Sequence, residues 1–146
     1  MKGFTLIEIL VVFLVCTLFM LLPTLTINKW RQVVEVDQFL ASFEKKMVFT
    51  QQMAVVNAVD TQIIFLEKNQ HINFLIPKNE QIVEDEILEI PASLEISGSD
   101  KLTFKKGSGN ISKLSKFSFS WKDKKQLIEF QFQLGSGRYI KKIKQF

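Results

Sequence analysis

The chain has 146 residues, 47% of them hydrophobic, with 19 Lys and Arg against 15 Asp and Glu. One cysteine, Cys16, excludes an intrachain disulfide, and one histidine, His71, excludes a metal cluster built on histidines. The length allows one modest domain beyond whatever an apolar segment removes.

Residues 1–3 form a charged stub. From Phe4 to Leu22 the only polar side chains are Thr5, Glu8 and Thr17. A spanning helix needs about 20 mostly apolar residues, and this run just qualifies. Cys16 inside it reads as a small apolar side chain. Glu8 is the anomaly. A carboxylate at the centre of hydrocarbon costs roughly 2.5–3.5 kcal/mol, and less near an end. An apolar segment that keeps one points to a partner for it.

Pro23 removes a backbone donor and predicts a bend or break in the helix. Trp30 between Lys29 and Arg31 suits a membrane–water boundary. From there a helical period sets in: Val33, Val36, Leu40, Phe43, Met47, Ala54 and Ala58 share one face, with Thr50 filling its gap. The spacing predicts one long helix over 4–59, its second half amphipathic.

After Asp60 the period changes to that of strands. Residues 61–66 and 71–76 predict a hairpin, with Pro77 ending the second run. Residues 84–90 are acidic and ambiguous. Short strands follow at 94–97 and 102–105, a turn at Gly107-Ser108-Gly109-Asn110, and alternating strands at 117–121 and 128–134 around the turn Lys122–Lys125. Gly135-Ser136-Gly137 turns the chain again, and Tyr139–Ile143 closes it. Strands with one buried face explain the alternation. The amphipathic half-helix is their natural cover.

Charge is unevenly spread. Residues 60–100 hold nine carboxylates against two lysines, and residues 101–146 hold twelve cations against Asp123 and Glu129. Two arrangements fit: the acidic half lies beside the basic half, or one face of the domain is basic.

Two plain readings of the N-terminus fall short. A secretory signal peptide lacks a small-residue cleavage site after the apolar core, and a simple anchor leaves Glu8 unexplained. Gly3-Phe4-Thr5-Leu6-Ile7-Glu8, after a positive stub and ahead of an unbroken apolar helix, resembles the leader signal of type IV pilins and pseudopilins. In that family a prepilin peptidase cuts after the glycine and methylates the new amine. The resemblance places the cut between Gly3 and Phe4 and makes Glu8 an assembly residue, its carboxylate pairing with the amine of an adjacent subunit. Paired charges are acceptable in a water-poor setting where a lone one is not. Pro23 lies near the helix-bending proline of many pilins.

The resemblance divides the chain into a leader (1–3), a transmembrane and assembly helix (4–25), its amphipathic continuation (26–59) and a β-rich head (60–146). The implied class is α+β and pilin-like, one long helix packed on an antiparallel sheet. Residues 102–110, 117–121 and 134–140 look like the strand and Gly-turn series of GspH-type minor pseudopilins. With its size and composition the chain most resembles the minor pilins of Gram-positive competence pili. The implied function is pilus assembly and uptake of transforming DNA. A minor pseudopilin of a type II-like secretion system and a plain anchored binding domain are the alternatives.

The implied partners are the major pilin ComGC, the minor pilins ComGE, ComGF and ComGG, the prepilin peptidase, the assembly ATPase, the platform protein and the membrane. The implied location is a single-pass membrane protein with a cytoplasmic N-terminus, then the cell surface. No enzyme activity, cofactor or metal is expected. The serines follow turn and strand logic, and neither glycine turn opens a helix that could hold a phosphate. Candidate DNA contacts are Lys122, Lys124, Lys125, Arg138, Lys141 and Lys142, beside Lys105, Lys106, Lys113, Lys116 and Lys144, with Trp121 and Tyr139 as stacking candidates.

Overall fold

The computed structural model describes residues 5–66, 69–79, 82–111 and 113–145, with the side chains of 22–26, 28, 78–79 and 82–84 excepted. The expected processing residues Gly3 and Phe4 lie outside the described residues. One helix, α1 (Leu6–Val56), is followed by eight strands: β1 (Thr61–Leu66), β2 (His71–Asn79), β3 (Ile82–Glu89), β4 (Leu94–Gly98), β5 (Lys101–Phe104), β6 (Lys116–Trp121), β7 (Gln126–Phe132) and β8 (Tyr139–Gln145). α1 does not break at position 23. A proline removes one backbone donor, and the turns on either side keep theirs. Residues to Glu35 and residues from Val36 form two compact units.

In the second unit the strands form two four-stranded antiparallel sheets rather than one, in the orders β3-β2-β1-β5 and β4-β6-β7-β8. Strand alternation sends Ile63, Phe65, Ile72, Phe74, Leu102 and Phe104 inward from the first sheet, and Phe117, Phe119, Trp121, Ile128, Phe130 and Phe132 inward from the second. The face of α1 expected from the heptad-like spacing is buried at Val36, Leu40, Phe43, Met47, Thr50 and Ala54. Val33 is half-buried, and Ala58 is exposed in a left-handed conformation past the helix end. Phe39, off the expected stripe, is also buried. It meets Phe119 edge-on at 5.4 Å, so a helix covering two sheets buries a wider face than one row of positions.

Phe43 is the hub of the core. Its ring lies 6.1 and 6.2 Å from Phe65 and Phe74 of the first sheet, and 5.2 and 5.3 Å from Phe119 and Phe130 of the second.

Two strand expectations are corrected. β2 does not stop at Pro77 but continues to Asn79 with a register shift. β1 pairs with β2 only as far as Leu75, so at Pro77 the strand has a neighbour on the β3 side alone. A proline is tolerated where no ladder N–H is required. The acidic run left ambiguous is β3, an edge strand.

Candidate assembly surface

The described part of the first unit is Thr5 and α1 from Leu6 to Glu35, and the apolar side chains from Leu6 to Leu21 are exposed. Leu6, Phe13, Phe19 and Met20 are each more than 70% exposed. Contiguous apolar surface of this kind marks an interaction site. Among the described residues no helix is long and apolar enough to cross a membrane. The expected span extends over Phe4 and residues 22–25, which lie outside the described residues or side chains, and Pro23 is among the latter.

Glu8 has a local partner. Its Oε2 accepts the Thr5 backbone N–H and the Thr5 hydroxyl, both at 3.4 Å, and its own N–H donates to the Thr5 carbonyl at 3.0 Å. Thr5-x-x-Glu8 thus makes one half of a capping box: the Glu8 carboxylate takes the Thr5 N–H, while the Glu8 N–H goes to the Thr5 carbonyl and not to its hydroxyl. The Thr-x-x-Glu spacing is legible in the sequence.

In the head the candidate DNA-contact cations lie at separate places. Lys122, Lys124 and Lys125 sit at the β6–β7 turn, next to the Gln126–Gln145 pair, while Arg138 and Lys141 flank the Phe132–Tyr139 pair at the other end of β8. Six residue steps separate those ends, about 20 Å. Several are neutralised: Lys122 by Glu95, Lys141 by Glu44 and Lys105 by Asp60, the last at 2.9 Å. Lys142 bonds to Gln131 at 3.2 Å. Both charge arrangements hold in part. Lys105 and Lys122 reach carboxylates of the acidic half, whereas among the described residues Lys101, Lys113, Lys124, Lys125, Arg138 and Lys142 have no carboxylate in a salt bridge.

One stacking candidate, Trp121, is corrected. Trp121 is 2% exposed, with the Lys124 ammonium 4.1 Å above its ring, so the indole is core and not a platform for a base. The Tyr139 hydroxyl donates to Glu44 at 3.1 Å, and burial followed by the Glu44 charge pushes its pKa up.

Glu129 lies between two lysines on the outer face of the second sheet, bridged to Lys116 and, at 2.7 Å, to Lys144. Those charge-assisted bonds, Lys116 first, hold its pKa down to about 2 from 4.5. The folded value lies below the unfolded one, so the carboxylate's stabilisation is complete above about pH 4.5 and is lost as pH falls through about 2. Glu129→Gln is expected to flatten the acid limb over that interval. Denaturation midpoints of both chains across the acid range test this, and parallel curves count against it.

One side chain missed by the sequence reading organises the loops. Gln51 Nε2 of α1 donates to the Gly109 carbonyl at 3.1 Å and to the Gly137 carbonyl at 3.3 Å. The two Gly-Ser-Gly turns thus meet on one amide, and Gly107 N–H donates to the Ala54 carbonyl at 3.0 Å. Gly137 has φ 61°, and a Cβ there would collide with the Gln51 amide and the Gly109 carbonyl; Gly135 has φ 75° but open space around it. Gly137→Ala is expected to lose roughly 2–4 kcal/mol, from left-handed strain plus overpacking. Gly135→Ala carries the strain alone, about 1 kcal/mol. Urea denaturation of the pair reads the difference.

No family model matches the chain, and no curated protein matches it. Among solved structures it is similar to the minor pseudopilin EpsH from the Type 2 Secretion System of Vibrio cholerae. The TM-score is 0.58 and the identity 12%, over 73% of this chain and 97% of that one. The likeness is one of fold: a long N-terminal helix packed on antiparallel sheets, as in pilin-like proteins.

Proposed function

We propose that the chain is a minor pilin-like subunit of a filament, and more finely the ComGD-type minor pilin of a competence pilus, needed for pilus assembly and uptake of transforming DNA. The observation that carries this reading is the Gly3-to-Glu8 motif ahead of the exposed apolar start of α1, in a chain of pilin-like fold. In this reading residues 4–25 rest in the membrane until assembly, the leader leaves between Gly3 and Phe4, and Glu8 exchanges its local partner for the amine of a neighbour. The neighbours are ComGC and the minor pilins ComGE, ComGF and ComGG, and the peptidase, ATPase and platform protein act on the subunit from outside it. Mass spectrometry of the mature N-terminus tests the proposal. An N-methylated Phe4 is expected; an intact Met1, or a cut beyond Pro23, removes the pilin reading.

The likeness to EpsH favours a second reading, a minor pseudopilin of a type II-like secretion system. Deleting the chain separates the two. Loss of transformation with secretion intact supports the competence pilus, and the reverse supports secretion.

A further inference from the structure

No sheet edge selects a partner by charge. On β8, Lys141 is bound to Glu44 and Lys144 to Glu129, and on β3, Glu86 is bound to Lys46. Glu95 of β4 is bound to Lys122. The far side of β5 already meets its own chain, through the Phe104–Ile111 bridge and the Lys105 N–H, which donates to the Asn110 carbonyl at 2.8 Å.

The outer face of the first sheet is different. The solvated face of an antiparallel sheet is ordinarily polar. The second sheet mostly obeys, with Ser118, Ser120, Glu129 and Gln131 on its outer face. In the first sheet, β1 reads Ile63-Ile64-Phe65-Leu66, the pattern of a strand covered on both sides. Ile63 and Phe65 are core, so Ile64 and Leu66 point outward beside Leu75 of β2, all three half-buried. One row crosses the face as Lys101, Ile64, Asn73 and Ile87, from β5 through β1 and β2 to β3. Ile87 is 56% exposed.

Asn73, in that row, is half satisfied. Its Nδ2 donates to Asp85 at 3.3 Å, but its Oδ1 is buried with no partner among the described residues. A buried acceptor without a donor is costly. The charges stand at the rims, Lys101 on β5 and Asp85 with Glu89 on β3. Among the described residues none of these three is in a salt bridge.

We propose that this face packs on the same face of a second copy, about a two-fold axis running along the strands between β1 and β2. Rotation about that axis lays β5 of each copy over β3 of the other, with the sheets about 10 Å apart. Lys101 then stands over Ile87 of the second copy, between its Asp85 and Glu89, at both rims. A two-fold axis across the strands sets Lys101 against Lys101 and acids against acids, so charge selects the first arrangement. The row is kept, and the two Asn73 side chains meet beside the axis. The second Nδ2 hydrogen of each is then available to the free Oδ1 of the other. The outer face of the second sheet is a poorer partner, because Glu129, Lys116 and Lys144 are already bound to one another. Four short strands offer less than the about 20–30 residues a side of a standard interface, so the dimer is a weak one, in the micromolar range. It closes on itself, uses neither Glu8 nor α1, and stands apart from the function proposed above.

Sedimentation of the full chain in detergent, under reducing conditions, tests the proposal. A reversible dimer is expected, and Ile64→Lys is expected to leave a monomer. Lys101→Glu should weaken the dimer about tenfold or more, and so should Asp85→Lys with Glu89→Lys, by setting like charges together. An equimolar mixture of those two chains is expected to recover it, since each then meets the opposite sign. Denaturation midpoints check that the variants fold; Lys101 is exposed, so its variant carries the test if Ile64→Lys does not fold. A chain that stays monomeric up to about 1 mM, a concentration at which even weak pairing is visible, overturns the proposal. So does association that Ile64→Lys, folded, leaves unchanged, or a mixture no tighter than its parts.

Discussion

Replacing Phe43 by alanine is expected to lower the stability of the head by about 3–5 kcal/mol, the usual cost of emptying a buried phenylalanine site. The ring is fully buried and touches rings of both sheets. The hole is bounded by strands held in two separate ladders, so neither sheet can close it without moving against the other, which puts the cost towards the upper end. A domain has only about 5–15 kcal/mol in total, so the variant stands near the threshold of folding. Chemical denaturation of the full chain reads the loss. Phe43→Leu, which keeps most of the volume, is expected to lose less than half as much, and equal losses would show that the hub position has no special weight.

In the proposed pilin reading, Glu8→Val is expected to leave membrane insertion intact and to remove the chain from filaments. Valine also removes the carboxylate's bonds to Thr5, so that variant alone does not separate the two uses of the carboxylate. Glu8→Gln does. An amide oxygen still accepts the Thr5 N–H, and glutamine serves in capping boxes as glutamate does, but it has no charge to offer an amine. If pairing between subunits is the role of Glu8, Gln and Val fail alike in incorporation, measured in sheared filament fractions against total chain. If the cap is the role, Gln incorporates like the parent and Val does not. The cap itself is worth about 1 kcal/mol, too little to explain complete exclusion from filaments.

The helix and most of the strands were legible because their signals are local. The buried face of α1 recurs at helical spacing from Val36 to Ala54, and β6 and β7 alternate in plain sight. β3 was not legible, since its run of acids imitates a loop until the partner strand is known. The passage of β2 through Pro77 depends on where β1 stops pairing, a property of another segment. The division into two sheets is likewise non-local, because alternation fixes which residues point inward but not which strands adjoin. At the site, the local contact of Glu8 with Thr5 was nearly legible from the Thr-x-x-Glu spacing. The dispersal of the lysines was not. Consecutive cations look like a patch in sequence, whereas strand register sets Lys122 and Arg138 at opposite ends of one sheet.

Gln51 has a dynamic consequence. One amide holds carbonyls of two loops that lie 28 residues apart, so neither turn can lift from α1 without releasing a bond to the other's anchor. Amide hydrogens of the two turns are therefore expected to exchange with solvent in concert, as one opening unit. Gln51→Ala would uncouple them, so that each loop follows its own clock.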